Sequence, residues 1–303
     1  MTATTHPGDT GPSRSSGRRA GAVSYGVICY LIFLGTFLDA VGFVGNLVVP
    51  KSIDSGPLVP SAEAAAVNLL LLGLLAVQHS VMARSAFKRW WIRFVPPHVE
   101  RSTYVLASSL ALILLFWVWQ PMPGVVWEVE QSVAVTALWV LFAVGWGIVL
   151  VTTFLIDHFD LFGLRQIYLY ARGEPYTPPP FRTRALYRIV RHPIMLGFLI
   201  AFWATPTMTW GHLLFAVMTT AYVVVGILLE ERDLRRAFGD TYEEYRRRVG
   251  MLVPRIGGAA RVGDRAEMPP AWPVGSRVTA GSLLLIERTA VGYPSCFPRI
   301  WQR

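Results

Sequence analysis

The apolar run VAVTALWVLFAVGWGIVLVTTFLI occupies Val133–Ile156 and contains no charged residue. Because a membrane-spanning helix needs about 20 consecutive apolar residues, this run is long enough to cross a bilayer. Further apolar runs lie at Val23–Val49, Ala64–Met82, Tyr104–Trp119, Ile194–Met208 and His212–Leu229. The sequence therefore predicts an all-α, polytopic helical membrane protein with about five to six membrane helices.

The composition of the whole chain agrees with that prediction. Of its 303 residues, 53% are hydrophobic and 16% are charged, whereas a soluble domain carries about 25% charged residues. These values argue against a soluble enzyme, a disordered chain and a coiled coil. The two cysteines, Cys29 and Cys296, are far apart in the sequence. They indicate neither a disulfide framework nor a metal-ligand cluster, and we expect no metal.

The basic residues predict how the helices are oriented. A formal net charge of +9 can indicate nucleic-acid binding, but here the basic residues flank apolar runs, so we expect no nucleic-acid partner. Alternating spans place Pro50–Glu63, Gln120–Ser132 and Thr207–Gly211 on one side, and these segments contain one basic residue, Lys51. Because cytoplasmic loops carry the excess of Lys and Arg, both termini are expected in the cytoplasm.

The last two apolar runs predict a C-terminal helical hairpin. The run Ile194–Met208 is short and contains Pro206, so we expect its helix to reach only part-way across the bilayer. In Glu230–Gly250, apolar and aromatic residues recur three and four positions apart, which predicts a cytoplasmic amphipathic helix interrupted at Gly239. We expect a disordered cytoplasmic N-tail, a membrane domain and a loosely ordered C-terminal extension, at 1–22, 23–256 and 257–303.

Polar side chains within or beside the apolar runs are costly there and are candidates for function. His79 lies near the cytoplasmic end of the second run, and His158 follows the fourth run within the polar and aromatic cluster Asp157–Gln166. Imidazole titrates near neutrality, so both are candidate catalytic groups, although each is also suited to a structural hydrogen bond. The sequence lacks zinc-type His/Cys spacing and glycine-rich phosphate loops.

Two segments carry the most specific pattern. Tyr187–Gly197 reads YRIVRHPIMLG, and EERDL at Glu230–Leu234 precedes the pattern Phe-Gly-x-x-Tyr-x-x-Tyr followed by a proline. This pairing resembles the isoprenylcysteine carboxyl methyltransferase family of membrane enzymes. With the stretches 78–84 and 157–166 included, the chain is most similar to its branch of bacterial methanethiol S-methyltransferases, over about residues 23–256.

The resemblance implies methyl transfer from S-adenosylmethionine in a membrane methyltransferase domain at 23–256. It also implies a bacterial inner (cytoplasmic) membrane, with the cofactor at the cytoplasmic face between the hairpin and the C-terminal helix. The family's cofactor contacts correspond here to Gln166, Phe181, Tyr187, His192, Pro193, Ile194, Met195 and Glu230. Among them, the carboxylate of Glu230 suits the cofactor's cationic groups, and the ring of Tyr187 suits its adenine face.

Two departures from the family pattern bear on the substrate. The carboxyl methyltransferases have an arginine four residues before the glutamate that matches Glu230, and it binds the substrate carboxylate. This chain has Gly226 there, which cannot bind a carboxylate bidentately. The family tyrosine after His-Pro-x is replaced by Met195. We therefore expect a small apolar thiol as the substrate, methanethiol converted into dimethyl sulfide, and the lipid bilayer as the other partner.

The sequence leaves the removal of the thiol proton open. The thiolate is the reactive form of a thiol, and His158 is our first candidate for the proton acceptor, ahead of His79. Alternatively, Arg165 or Arg191 lowers the thiol pKa, or the site captures thiolate from solution. Two other functions are alternatives: a membrane reductase of the sterol-reductase type, and a non-catalytic membrane carrier or accessory protein.

Overall fold

The computed structural model describes residues 12–177 and 185–255. Within them the chain forms ten α-helices, one 3-10 helix and two short strands. The helices are α1 (Pro12–Gly45), α2 (Ser61–Ala83), α3 (Ser85–Trp91), α4 (Glu100–Val118), α5 (Ser132–Ile156), α6 (His158–Leu161), α7 (Leu164–Arg172), α8 (Pro193–Trp203), α9 (Trp210–Phe238) and α10 (Asp240–Arg248), with the 3-10 helix at Ala185–Arg188 and strands β1 (Val125–Glu128) and β2 (Thr207–Thr209).

The predicted all-α membrane architecture is confirmed. Helices α1, α2, α4, α5 and α9 are each long and apolar enough to cross a bilayer, and α8 is a shorter apolar helix. The strands were not predicted. They form a two-stranded antiparallel sheet that pairs Val125 with Thr209 and Glu128 with Thr207.

The three loops that the charge pattern places on one side lie at one end of the bundle, which we call the loop end. The sheet joins the α4–α5 loop to the α8–α9 turn. The hydroxyl of Thr209 donates to Asp54 Oδ1 at 2.5 Å, which joins the same turn to the α1–α2 loop. The 11 residues of α8 rise only about 17 Å, and non-helical residues after Trp203 complete its path to the loop end.

A buried aromatic core fills the bundle towards the loop end. The rings of Phe43 and Phe116 stack with centroids 4.6 Å apart, and Trp119 packs edge-on against Phe43 at 6.0 Å. The indole of Trp119 donates to the carbonyl of Ile53 at 3.1 Å, so a fully buried N–H is satisfied by the α1–α2 loop. The contact between Trp119 and Ile53 therefore attaches the α1–α2 loop to the end of α4.

Helices α5 and α8 cross at very short range because glycines face each other. A Cβ added to Gly145 would lie 2.6 Å from the backbone nitrogen of Ala201, and one on Gly197 would lie 2.9 Å from that of Val149. Small residues permit this kind of close backbone approach in membrane helices. The helices run antiparallel, so the first residue of α8 lies near the last turns of α5.

The chain differs from the prediction at its N-terminus. Helix α1 begins at Pro12, so the prediction of a disordered tail is wrong for residues 12–22. The physical reason is that α1 continues past the apolar run to pack against α7. Ala22 is buried, Gly26 lies against the side chain of Ile167, and the guanidinium of Arg19 lies over Gly173.

At the other end of the chain, α9 continues without a break from the apolar run to Phe238. Gly239 adopts a left-handed φ of 51°, a conformation that glycine takes at little cost, and α10 begins directly after it. The predicted interruption at Gly239 is therefore confirmed. The predicted C-terminal extension, 257–303, lies outside the described residues.

Alanine at Gly145 should destabilise the protein, because its Cβ would press on backbone atoms of α8 that cannot turn aside. Overpacking of this kind costs about 1–3 kcal/mol. The matched control is Gly147→Ala on the same helix, where a Cβ meets nothing within 4 Å. Thermal unfolding in detergent, followed by tryptophan fluorescence, should give the lower midpoint for Gly145→Ala. Equal midpoints would contradict the close crossing.

Candidate active site

The candidate site lies where α8 begins, at the end of the bundle opposite the loop end. His192 is the residue before α8, and Pro193 occupies its first turn, where a missing N–H leaves no hydrogen bond unmade. The chain just before α8 is held by the segment after α10. The backbone N–H of Arg191 donates to the carbonyl of Gly250 at 2.8 Å, and that of His192 donates to Met251 at 3.2 Å.

The imidazole of His192 lies between two carboxylates of α9. Its Nδ1 is 3.3 Å from Glu230 Oε2, and its Nε2 is 3.3 Å from Glu231 Oε1. Burial alone would lower the pKa of His192, but the attraction of the two carboxylates outweighs it, so the pKa lies above its ordinary value. The site therefore favours the imidazolium form.

Tyrosines surround the same carboxylates. Tyr187, in the 3-10 helix, is buried, and its carbonyl accepts the hydroxyl of Tyr245 at 2.8 Å. Burial and then the negative charge of Glu230 raise the pKa of Tyr187. Burial and the charge of Glu231 likewise raise the pKa of Tyr242. These phenols stay neutral at physiological pH and offer apolar ring faces beside anionic groups.

Six of the eight predicted cofactor residues lie together at this end of α8 and α9. Ile194 and Met195 form the first turn of α8 with Pro193, and both are half-buried. They join Tyr187, His192 and Glu230, which the contacts above bring together. Phe181 lies outside the described residues. No cluster of three or more metal-ligating side chains occurs among residues 12–177 and 185–255.

Gln166, the remaining predicted contact, lies on α7, which packs against α1 and α6. Its side chain is buried, and its Oε1 atom has no hydrogen-bond partner in the described part of the chain. Glu230 Oε2 is also buried without a hydrogen-bond partner in the described part of the chain, and it forms an ion pair with His192 Nδ1 at 3.3 Å. Buried acceptors without donors are costly, so both atoms suit a ligand that carries N–H groups.

The two candidate catalytic histidines lie in separate clusters. His158 is buried, with Nε2 2.8 Å from the hydroxyl of Tyr30 and Nδ1 2.8 Å from that of Thr153. Its ring stacks on Phe154 at 4.2 Å. Burial lowers the pKa of His158, so the ring is neutral near pH 7. One hydroxyl must donate to it and the other must accept from it.

His79 lies between α2 and α4. Its Nδ1 is 3.0 Å from the hydroxyl of Tyr104 and 3.3 Å from that of Ser108. The next residue, Ser80, contacts the hydroxyl of Tyr222 on α9 at 3.0 Å. Since Tyr222 lies two turns before Glu230, the polar end of α2 is connected to the helix that carries the candidate site.

Two residues important to the site region were not predicted as site residues. Glu231 belongs to the Glu-Glu motif and accepts a hydrogen bond from Arg191, but the family's cofactor contact corresponds only to Glu230. Asp160 binds Arg101 of α4 at 2.5 Å and accepts the hydroxyl of Tyr176 at 2.9 Å. The dense polar stretch after α5 was the signal for Asp160, but its partners come from distant parts of the sequence.

The fold and the site define a polytopic helical membrane protein with a buried His–carboxylate site at one end. A methanethiol S-methyltransferase of Mycobacterium tuberculosis is 59% identical over 77% of this chain and 95% of its own length. Methanethiol S-methyltransferase 1 of Bradyrhizobium diazoefficiens is 58% identical over 77% of this chain and 82% of its own. The chain therefore belongs to the methanethiol S-methyltransferase family.

A more distant relative is Nurim of Sus scrofa, which is 32% identical over 60% of this chain and 71% of its own length. Nurim thus represents a related membrane family. No protein-family profile matches the chain, and no solved structure matches it.

Replacing Asp160 by asparagine should destabilise the site end of the bundle. The change would leave the largely buried guanidinium of Arg101 without its counter-charge, which costs about 3–5 kcal/mol when one partner of a buried pair is removed. Glu174→Gln is the control, because Glu174 forms an exposed pair with Arg172. Thermal unfolding should shift clearly for Asp160→Asn and hardly at all for Glu174→Gln. Indistinguishable curves would show that the buried pair does not hold α4 to α6.

Proposed function

We propose that this protein transfers a methyl group from S-adenosylmethionine to methanethiol and so produces dimethyl sulfide. The observation that carries the proposal is the match of 50–59% identity, over most of the chain, to proteins named methanethiol S-methyltransferase. The same match favours a methyltransferase over the two alternatives, a membrane reductase and a non-catalytic carrier. The geometry around His192 and Glu230 supplies a site that suits the reaction.

The residues at the start of α8 fit the proposed cofactor. S-adenosylmethionine carries an ammonium group, and the site offers it the buried carboxylate of Glu230, whose Oε2 has no hydrogen-bond partner in the described part of the chain. We assign the ammonium to Glu230, because a carboxylate binds a cation most strongly. The protonated ring of His192 is suited to the cofactor's carboxylate, and Tyr187 offers a ring face to adenine.

The cofactor, when bound, supplies a methyl group already activated on a sulfonium sulfur. A thiolate would attack this methyl carbon, and the new carbon–sulfur bond would form as the methyl–sulfonium bond breaks. The products would be dimethyl sulfide and the demethylated cofactor, both thioethers without charge on sulfur. The chain's own task is to hold the reactants in line and to exclude water. Apolar surroundings favour a transition state in which charge disappears over the charged reactants.

The segment of α9 before Glu230 supports a small apolar substrate. Gly226 replaces the arginine of the carboxyl methyltransferases. Val223 and Ile227, on either side of Gly226 along the helix, are buried. A substrate carboxylate would find no cation in this stretch and would remain unpaired, at a cost of several kcal/mol. Methanethiol has no group to leave unpaired.

We also propose that the protein lies in the bacterial inner membrane with both termini and the site in the cytoplasm. In support, the loop end gathers the three segments that contain only Lys51 among the basic residues. The candidate site lies at the opposite end, whose connecting segments carry many basic residues. The positive-inside rule assigns such an end to the cytoplasm.

The decisive experiment supplies methanethiol to a bacterial host that lacks the activity and measures dimethyl sulfide in the headspace. Cells that express this protein should produce it, and Glu230→Gln should weaken cofactor binding by roughly thirtyfold, because an ionic hydrogen bond is worth about 2 kcal/mol. Glu244→Gln is the matched control, since Glu244 is exposed and pairs with Arg248 within the neighbouring helix α10.

The absence of dimethyl sulfide, together with the failure of labelled S-adenosylmethionine to bind the purified protein, would overturn the proposed function. Unchanged cofactor affinity in Glu230→Gln would overturn only the assignment of the ammonium group to Glu230.

For the thiol proton, we propose His158 as the acceptor, with His79 as the second candidate. A base contributes about 10²–10⁴ to the rate. Removing it should therefore lower kcat/KM near pH 7, and the deficit should shrink as pH rises and thiolate becomes abundant. We expect this pattern in His158→Ala. His98→Ala is the control, because His98 stacks on Tyr170 outside the site.

The shape of the pH profile separates the alternatives. A deficit that shrinks with pH only in His79→Ala would assign the proton to His79. Deficits that do not change with pH in either variant would contradict both assignments and indicate that thiolate is captured from solution. Kinetics in detergent with a fixed concentration of methanethiol over pH 6–10 suffice.

A further inference from the structure

We infer that Glu231 is a positioning residue: its carboxylate fixes the imidazole of His192, through Nε2, in the orientation that directs Nδ1 towards Glu230. This inference rests on the proposed function for its meaning, because the orientation matters if the cofactor binds between His192 and Glu230. The contact between Glu231 and His192 itself does not depend on which substrate the protein uses.

The contacts of Glu231 show that both its carboxylate oxygens are engaged. Oε1 accepts Arg191 Nε at 2.8 Å and is 2.6 Å from Arg191 Nη2, so it lies between the two donors of one guanidinium. The same atom is 3.3 Å from His192 Nε2. Oε2 is 3.3 Å from Arg246 Nε. Glu231 is buried, and water does not compete for these contacts.

Arg191 fixes the position of the carboxylate in turn. Its Nη1 donates to the carbonyl of Val249 at 2.5 Å and to that of Arg246 at 3.2 Å. One buried guanidinium therefore satisfies the C-terminal carbonyls of α10 and also pairs with Glu231 of α9. The start of α8, the end of α9 and the end of α10 meet at Glu231, so its carboxylate has little freedom to move.

The two neighbouring glutamates have different partners and hence different tasks. Glu231 forms ion pairs with the guanidiniums of Arg191 and Arg246, whereas the ion pair of Glu230 is with the ring of His192. A cationic group of a ligand can therefore engage Glu230 without displacing an arginine. Once a ligand cation binds Glu230, the contact between Glu231 and His192 Nε2 keeps the imidazole in its orientation.

The charged and titratable groups around His192 predict the sign of the effect. Glu230 and Glu231 face it from α9, Arg191 precedes it, and Tyr187 and the α10 residues Tyr242, Tyr245 and Arg246 complete the surroundings. The raised pKa of His192 means that its charged form stabilises the fold below pH about 6.5. That stabilisation is lost as pH rises through the folded-state pKa.

The test is an NMR titration of the imidazole of His192 in the full-length protein labelled at histidine, with the signal assigned by its loss in His192→Gln. In Glu231→Gln, a negative charge is removed next to Nε2, and His192 should bind its proton roughly tenfold more weakly. In Arg246→Gln, a positive charge is removed from the far side of the same carboxylate, and His192 should bind its proton more tightly. Glu244→Gln should leave the titration unchanged.

The affinity for S-adenosylmethionine, measured by calorimetry across the same pH range, gives the second readout. We expect Glu231→Gln to weaken binding about tenfold and to move the pH at which affinity falls to lower pH. A residue that only stabilises the fold would lower affinity without moving that pH. Unchanged titration of His192 in both Glu231→Gln and Arg246→Gln would overturn the inference.

The outcomes also separate this inference from the proposed function. If the His192 titration moves as expected but the unaltered protein does not bind S-adenosylmethionine, the proposed function fails and the pairing of Glu231 with His192 stands. If the unaltered protein binds the cofactor and neither variant moves the titration, only the positioning role fails. Should Glu231→Gln not fold, the opposite shift expected for Arg246→Gln tests the same contact.

Discussion

The close crossing of α5 and α8 at Gly145 and Gly197 is the constraint on which the rest of the structure depends. Helix α8 has only 11 residues and therefore a small apolar surface. Close backbone packing against a neighbouring helix holds it in place. The crossing fixes α8 along its axis and therefore fixes its first residue. The position of the first residue of α8 in turn places His192 beside α9 and α10.

The site end of the bundle combines a strong concentration of charge with little exposure to water. Arg191, Glu231 and Arg246 form a compact set of opposite charges, and Asp160 of α6 forms a second pair with Arg101 of α4. Buried ion pairs add little net stability compared with apolar packing, but breaking one of them is costly. They therefore fix geometry more than they stabilise the fold, which suits the charged cofactor that we propose for this site.

The sequence predicts those features that depend on local pattern. Apolar runs locate the spans, Gly239 locates the break before α10, and the Arg-His-Pro and Glu-Glu motifs locate the start of α8 and the end of α9. Features that depend on distant partners were missed. The sheet at the loop end joins residues about 80 positions apart, and Arg101 gives no local sign that it pairs with Asp160. The continuation of α1 to Pro12 was missed because its partner, α7, is short and polar.

The position of the site also agrees with the chemistry of the proposed reaction. A charged donor reaches an end of the bundle from water, whereas a small apolar thiol and a neutral sulfide partition readily into the hydrocarbon of the bilayer. At the junction of α8 with α9, the carboxylates of Glu230 and Glu231 lie one and two turns of helix from the buried apolar residues Ile227 and Val223. Because the proposed reaction removes charge, its product, dimethyl sulfide, partitions into the hydrocarbon of the bilayer more readily than the thiolate from which it is formed.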